Sequence, residues 1–260
     1  MKILIVGGDK RMLYAKTDLE KNGFKTDTLG LIENDNADIF DADILLLPVP
    51  ATRDNININC PLTQRKIPIS LLQTVSEDTL ILSGGLNLKR KNFINYLELE
   101  DYAILGAVPT AEGAIHCAIE NTDFTLWNSN ILIIGFGKVS RILASRLVSF
   151  GCNLTVSARN NRDFSYLDAL NISKISTYEV NEQINNFDIV FNTIDVPIID
   201  SASLSKETLI IDLSTKGCFI DNNPKVNLIK LPGLPGKIAP ATAGKIISET
   251  AIKLINGQRR

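Results

Sequence analysis

The order of apolar and polar residues along the chain predicts short buried strands that alternate with amphipathic helices. Near-continuous aliphatic runs separated by helical patterns are typical of parallel sheets covered on both faces. In the first 110 residues the predicted strands are 3–6, 24–29, 44–47, 79–83 and 102–105. Later in the chain they are 131–134, 153–157, 187–192, 208–213 and 226–231. The pattern therefore predicts two α/β units in one chain.

Two segments are predicted to connect these units. Thr110 is a candidate helix N-cap and Glu112 lies in the first turn, so a linking helix is predicted over about 111–121. The stretch 231–236 is rich in proline and glycine and is typical of a linker. A helical apolar pattern then follows over about 241–255.

The expected fold is α/β, with two Rossmann-like, doubly wound parallel-sheet lobes, a cleft between them, and a C-terminal helix that returns to the first lobe. Because that helix needs a partner for its apolar face, we expect the first lobe to be discontinuous. The expected domains are 1–112 plus 240–260 on the substrate side, and 113–239 for nucleotide binding.

A glycine turn at the start of the second lobe carries the strongest functional signal. Gly135 and Gly137 follow an aliphatic strand and precede an amphipathic helix. A strand, glycine turn and helix in this order begin a dinucleotide-binding unit, in which a pyrophosphate lies at the helix N-terminus. Gly135, Gly137, Lys138 and Val139 are therefore predicted to contact a cofactor. The alternative is a glycine turn in an α/β fold that binds no nucleotide.

The end of the next strand bears on the choice of cofactor. NAD-binding units place an acidic residue there for the ribose 2′-hydroxyl, but this chain has Ser157, Arg159 and Arg162, and no acid before Asp163. Arginine offers a planar fork of donors to phosphate oxygens. NADP is therefore expected, with NAD as the alternative, although the two arginines would also suit an ordinary solvated loop.

Composition and charge exclude several classes of protein. The chain has 260 residues, 45% of them hydrophobic, and a net charge of −2, so no basic field suggests nucleic acid. No apolar run approaches the roughly 18 residues of a membrane span, and a strand at the very start argues against a signal peptide. His116 is the single histidine and the cysteines lack metal spacing, so no metal site is expected. The cysteines are expected to be reduced thiols in a cytosolic protein: Cys60, Cys117, Cys152 and Cys218.

Four stretches of the chain resemble one known family, the A subunit of dipicolinate synthase from spore-forming bacteria. They are the Gly-Gly-Asp-Lys-Arg stretch at 7–11, the Pro-Thr-Ala-Glu-Gly stretch at 109–113 with 121–125, the glycine turn with 157–159, and the Pro-Gly-Leu-Pro-Gly stretch at 232–236 with the residues up to 244. The resemblance covers both predicted lobes.

The resemblance implies an activity and a partner. Proteins of this family oxidise a dihydrodipicolinate-type precursor of the lysine pathway to dipicolinate, which is pyridine-2,6-dicarboxylate, with a nicotinamide cofactor. The chain is expected to work with a flavoprotein-like B subunit in the cytoplasm of the mother cell during sporulation. A homo-oligomer is also compatible with the sequence.

A dicarboxylate substrate needs cationic partners. The predicted strand ends of the first lobe place Arg11 and Arg53 where open parallel sheets bind ligands, and Thr110 lies in a third segment expected at the same edge. Arg11, Arg53 and Thr110 are therefore the candidate substrate-binding residues. Each charge would also suit a solvated surface position.

The remaining candidates concern the reaction itself. Glu112 is a candidate base or substrate orienter, with a first-turn helix charge as the alternative, and Lys216 is a candidate catalytic cation. Asn192 and Thr193 follow an apolar strand where the chain usually passes the nicotinamide, with a strand-end turn as the alternative. His116 is interpreted as structural.

Two other functions stay open at this point. One is a different two-lobed NADP-dependent dehydrogenase of a small carboxylic acid. The hydroxyacid enzymes of this kind use a late histidine, and the only histidine here precedes the nucleotide lobe. The other is a non-catalytic nucleotide-binding subunit whose partner performs the chemistry.

Overall fold

The computed structural model describes residues 1–204, 207–221, 226–231 and 233–257. The chain divides into two compact units, Met1–Gly106 with Pro235–Arg260, and Ala107–Leu234. Each unit contains one sheet whose strands are parallel, and helices cover the sheet faces. The α/β class with two Rossmann-like sheets, predicted from the aliphatic runs, is thus confirmed.

The sheet of the first unit has the strand order β2-β1-β3-β4-β5. This is the flavodoxin-like order, in which the switch point lies between β1 and β3. β5 is absent from the predicted strands because its three residues are too short to show a period. The elements are β1 Lys2–Val6, α1 Lys10–Lys21, β2 Lys25–Leu29, β3 Ile44–Leu46, β4 Leu80–Ser83 and β5 Phe93–Asn95.

The sheet of the second unit has the order β8-β7-β6-β9-β10-β11. Numbered from its own first strand, this is the order 3-2-1-4-5-6 of dinucleotide-binding folds, with the switch point between β6 and β9. β8 is also absent from the predicted strands, because half of its four residues are serines. The elements are β6 Asn130–Ile134, α3 Lys138–Leu147, β7 Asn153–Ala158, α4 Asn161–Ala169, β8 Ser173–Ser176, α5 Val180–Gln183, β9 Ile189–Asn192, β10 Leu209–Asp212 and β11 Leu228–Lys230.

Helix α2, Glu100–Glu120, corrects two predictions. The strand predicted at 102–105 is part of this helix, and the helix predicted to begin at about 111 begins roughly three turns earlier. Thr110 therefore lies inside the helix and is not an N-cap. A proline after a short apolar run is also the pattern of a helix start, which explains the wrong prediction at Pro109. The helix in fact begins with an acidic first turn at Glu100, and it accommodates the proline in its interior.

The same helix is long and apolar enough to cross a membrane by length and composition alone. Half of its most apolar window is buried inside the protein. Ala111, Ala114 and Ala118 are fully buried members of the core of the second unit. These contacts are those of a core helix, and burial in the core explains why the helix is so apolar.

The C-terminal helix α7, Pro240–Gly257, packs on α1 of the first unit, as predicted. Its apolar face joins the core that contains Met12 and Leu19, and Ser248 Oγ donates to Asp18 Oδ2 at 2.5 Å. The short helix α6, Leu234–Ile238, occupies part of the segment predicted as a linker. Pro232 of that segment lies outside the described residues.

Gly244 sets how closely α7 approaches α1. A Cβ atom at this position would lie 2.4 Å from the carbonyl oxygen of Arg11 and 3.0 Å from the amide nitrogen of Ala15, which are backbone atoms that cannot rotate away. We expect Gly244→Ala to lower the free energy of unfolding by about 1–3 kcal/mol through overpacking. Urea unfolding followed by circular dichroism measures this change.

Gly257→Ala is the matched control, because it lies in the same helix and a Cβ there meets no other atom within 4 Å. Alanine has the higher helix propensity at both positions, so the control should be neutral or stabilising by up to about 1 kcal/mol. Equal stability changes for the two variants would contradict the close helix approach.

Candidate functional site

The glycine turn of the second unit is open on its outer side. Gly137 is the N-cap of α3, and no side chain makes a capping hydrogen bond to this helix. A Cβ at Gly137 would meet no atom within 4 Å. Uncapped amide groups at a helix N-terminus form an anion site, and here the backbone leaves space for a pyrophosphate.

Gly135 is fixed from both sides. Its φ of +96° is unfavourable for other residues, and a Cβ there would lie 2.5 Å from the Ile194 side chain. Its amide donates to Ser157 O at 3.1 Å and to Ser157 Oγ at 3.3 Å. Ser157 is therefore completely buried and occupied in supporting the turn. This setting does not suit the predicted contact of its hydroxyl with a 2′-phosphate.

Ser140 and Thr193 connect the turn to β9. Thr193 Oγ1 donates to Ile134 O at 2.8 Å, so the hydrogen bond of 2.6 Å between Ser140 Oγ and Thr193 Oγ1 has Ser140 as its donor. Ser140, at the third glycine position of the motif, is buried. The hydroxyl of Thr193 thus lies beneath the glycine turn.

Asp212 is a functional support that the sequence reasoning missed. Its Oδ1 accepts from Asn192 Nδ2 at 2.8 Å, from Ser214 N at 3.0 Å and from Ser214 Oγ at 2.7 Å. Asn192 also donates to Ile194 O at 3.0 Å and is fully buried. Asn192 therefore shapes the loop after β9, and the contact of Asn192 with a cofactor stays a prediction.

A sequence signal for Asp212 existed. Asn192 and Asp212 are the first polar residues after aliphatic runs, and β9 and β10 are neighbours in which these two residues are paired.

Burial, followed by the charge of Asp212, raises the pKa of the nearby Cys218 thiol to about 12. Cys218 thus stays protonated and unreactive.

The end of β7 presents two exposed cations. Arg159 and Arg162 are solvent-exposed, and the Arg162 guanidinium lies 5.9 Å from the centre of the Tyr166 ring. Asn160 caps α4 by accepting from Asp163 N at 2.9 Å. The carboxylate of Asp163 is engaged by Arg141 Nη2 at 3.3 Å, so the nearest acid after the strand is already paired.

The glycine turn of the first unit is filled by the protein itself. Gly8 N donates to Asn59 O at 2.8 Å, and a Cβ at Gly7 would lie 2.8 Å from that same oxygen and 2.9 Å from Cys60 Sγ. Asp9 caps α1 by accepting from Arg11 N at 3.0 Å. A phosphate cannot occupy this turn, so the two similar turns have different uses.

Arg11 is a buried structural cation. Its Nε donates to Asp9 Oδ1 at 2.9 Å, its Nη2 donates to Asp9 Oδ2 at 2.7 Å, and Nη2 also contacts the carbonyl of Val49. Although burial opposes ionisation of Asp9, the hydrogen bonds and charge of Arg11 lower its pKa below the ordinary value. Arg11 thus fixes the ends of β1 and β3 through Nε and Nη2, and its burial and pairing with Asp9 do not suit the predicted direct contact with substrate.

Arg53, in contrast, is exposed on an ordered loop. Asp54 accepts from Asn57 N at 2.7 Å and from Ile56 N at 2.9 Å, and these bonds lower its pKa. The charge of Arg53 also contributes to lowering the pKa of Asp9, which places it at the same edge of the first sheet. An ordered loop with an exposed guanidinium is suited to binding a carboxylate.

The predicted catalytic residues lie in different settings. Glu112 Oε1 accepts from Arg146 Nη2 at 2.9 Å and from Nε at 3.2 Å, in the middle of α2. It is therefore neither a first-turn helix charge nor an unpaired base. Lys216 is exposed in the turn after β10, beside Asp195, which accepts from Thr215 N at 2.7 Å. Within the described ranges, no group of three or more His, Cys, Asp or Glu could hold a metal ion.

The comparisons agree with the class that the fold and the open turn define. Residues 117–219 match the family model "Shikimate / quinate 5-dehydrogenase". The transhydrogenase of Sinorhizobium meliloti has the same fold, with a TM-score of 0.66 and 14% identity over 97% of this chain and 84% of that chain. These matches support an oxidoreductase of the dehydrogenase type.

The chain is similar along nearly its whole length to dipicolinate synthase A subunits. Residues 2–105 match the family model for the N-terminal domain of the dipicolinate synthase A subunit. The A subunit of Bacillus subtilis dipicolinate synthase is 27% identical over 98% of this chain and 96% of that protein. The crystal structure of the Bacillus halodurans A subunit has a TM-score of 0.88 and 25% identity, and the match covers 98% of this chain and 97% of that one. The resemblance found from the sequence is therefore confirmed.

Gly135 and Gly137 should respond differently to the same substitution. Gly135→Ala forces a strained φ and a clash with Ile194, and we expect it to lower the free energy of unfolding by about 1–3 kcal/mol. Gly137→Ala has an ordinary φ of −81° and open space, so its stability should match the wild type. Chemical unfolding without nucleotide measures both.

The same pair tests the anion site. The methyl group of Gly137→Ala would occupy the space proposed for the pyrophosphate, so nucleotide affinity should fall although the fold is intact. A Gly137→Ala variant that binds NADP as tightly as the wild type in calorimetric titration would contradict a nucleotide at this turn.

Proposed function

We propose that the protein is the dehydrogenase subunit of a dipicolinate synthase. It would oxidise a dihydropyridine dicarboxylate to pyridine-2,6-dicarboxylate with NADP as the hydride acceptor. The observation that carries this proposal is the open glycine turn, in a chain that aligns along nearly its whole length with A subunits of dipicolinate synthase.

The reaction needs positioning more than activation. The substrate gives up a hydride from a ring carbon and a proton, and the product gains aromaticity. The nicotinamide supplies the hydride acceptor when it is bound. The amide groups of Gly137, Lys138 and Val139 would hold its pyrophosphate, and Arg159 and Arg162 its 2′-phosphate. The rate then depends on how the chain orients the reactants.

The carboxylates of the substrate would be bound by cations at the carboxyl edges of the sheets. Arg53 is the candidate in the first unit, and the Asp9–Arg11 pair would hold that edge in shape. Lys216, exposed in the second unit, stays the proposed catalytic cation. Glu112 is not assigned a role, because its carboxylate is engaged by Arg146.

The family name supports a second polypeptide in the enzyme. The relatives are named as one subunit of a synthase, and we propose that the partner is a flavoprotein-like B subunit. We also propose a place in the cytoplasm of the mother cell of a sporulating bacterium, which the similarity to dipicolinate synthase A subunits supports.

The decisive experiment supplies enzymatically generated dihydrodipicolinate to the purified chain, with and without the B subunit. NADPH formation by absorbance and dipicolinate by chromatography should rise together. Appearance of dipicolinate without reduction of NADP or NAD would overturn the proposal that this chain transfers the hydride to a nicotinamide nucleotide. Activity only with another carboxylic acid would replace the substrate and keep the class.

The choice of nucleotide can be tested at Arg159. Arg159→Ala should weaken NADP binding by about 1–3 kcal/mol, the scale of a charge-assisted hydrogen bond, and NAD binding much less. Lys174→Ala is the matched control, because it removes an exposed cation of the same unit that pairs with Asp168. Equal losses for the two nucleotides in calorimetric titration would refute the 2′-phosphate role.

Arg53 is the test of substrate binding. Arg53→Ala should raise KM for the dicarboxylate by about tenfold or more, the scale of one lost charge-assisted hydrogen bond. It should leave the Kd of NADP unchanged, since the residue lies at the edge of the first sheet. Arg65→Ala is the control, because Arg65 belongs to the same connection but pairs with Asp35 at 3.4 Å. Wild-type steady-state kinetics for Arg53→Ala would place the carboxylates elsewhere.

A further inference from the structure

Two apolar grooves flank helix α3 on the surface of the second unit. One has a volume of about 370 Å³ and is lined by Phe136, Ala144, Val148, Tyr166 and Leu170, among others. The other has a volume of about 400 Å³ and is lined by Ile115, Ser149 and Phe150 beside two charged residues. Ser145 lines both grooves, so they form one continuous surface, here called the α3 surface.

The α3 surface exposes more large apolar side chains than a solvated helix needs. Val148 is 52% exposed and Leu170 58%. Trp127, which lies against Gly151 at the edge of the surface, is 67% exposed. With Phe150 and Tyr166, the three aromatic rings leave about 300 Å² in solvent. A patch of this size is as large as the largest apolar patch of an ordinary monomer, which is often functional.

The charges on the surface argue against a small polar ligand. Arg141 Nε donates to Phe136 O at 3.1 Å and Arg141 Nη2 to Asp163 at 3.3 Å, and Arg146 pairs with Glu112 at 2.9 Å. The polar groups that would orient a ligand are therefore already paired. These four groups form two cation–anion pairs, so they add no net charge that would attract nucleic acid or an anionic membrane.

The same balance of charge suits a second copy of this chain. In a twofold contact a surface meets itself, so each cation must find an anion within the same patch. The outward positions of α3 and the turn after it are Arg141, Ser145 and Val148, with the smallest side chain in the middle. A small residue at the crossing lets two helices approach closely, and the flanking grooves can receive the larger side chains of the partner.

We propose that the α3 surface is the contact between two copies of the chain, with the α3 helices crossing near Ser145 about a twofold axis. Val148 of each copy then enters a groove of the other. This inference concerns assembly only and does not depend on the proposed reaction.

Sedimentation of the full chain across the micromolar range tests the contact. The wild type should be a dimer, and Val148→Asp should raise the dimer dissociation constant by about tenfold or more, as expected for a charge placed in an apolar contact. Ile56→Asp is the control, because Ile56 is also a well-exposed aliphatic residue, at 67%, but lies in the first unit. A monomeric wild type overturns the proposal. So does an equal rise of the dimer dissociation constant in both variants, and so does a chain that associates only with a different protein.

Cysteine cross-linking provides a second measurement that does not depend on a destabilising charge. Ser145→Cys should form a disulfide-linked dimer under mild oxidation, because the proposed axis brings the two copies of this position together. Ser76→Cys, an exposed serine of the first unit, is the control. The proposal fails if Ser145→Cys cross-links no faster than Ser76→Cys.

Discussion

The hydrogen bonds at the carboxyl edge of the second sheet are the constraint on which the candidate nucleotide site depends. Asp212 holds Asn192, Asn192 holds the loop to Ile194, and Ile194 with Thr193 closes against Gly135. These residues come from the ends of β9 and β10 and from the turn after β6. Since each contact is made by buried or half-buried groups, a change at one strand end is transmitted to the turn that presents α3.

A comparison of the two units shows how one backbone design supports different uses. Both first strands end in a glycine turn before a helix. In the first unit the segment at Asn59 and Cys60 fills that turn and accepts the amide of Gly8. In the second unit the corresponding space beside Gly137 is open. The long connection between β3 and β4 therefore excludes phosphate from the first unit and presents Arg53 instead.

The candidate site relies on backbone amides and guanidinium groups. Its carboxylates have structural roles. Asp9 pairs with Arg11, and Asp212 accepts hydrogen bonds from Asn192 and Ser214. This economy is consistent with hydride transfer from a substrate that becomes aromatic, because such a step is limited by orientation. A strong general base among the conventional candidates is not needed for that chemistry.

The sequence by itself determined the class, the two sheets, the return of α7 to α1 and the position of the glycine turn. These follow from local periodicity and from turn residues that only one backbone geometry accepts. Short stretches of specific residues also allowed the resemblance to dipicolinate synthase A subunits to be recognised from the sequence. The start of α2 was missed because an apolar run before Pro109 fits either a strand or a helix.

Only the tertiary structure decided what each polar side chain does. Ser157, Asn192 and Arg11 were plausible ligands in the sequence, yet each is buried and engaged in hydrogen bonds within the protein. Two similar glycine turns likewise became distinguishable only when Asn59 was found beside one of them. The reason is that a donor's availability depends on which neighbours fold against it, and those neighbours are set by packing across the sheet edge.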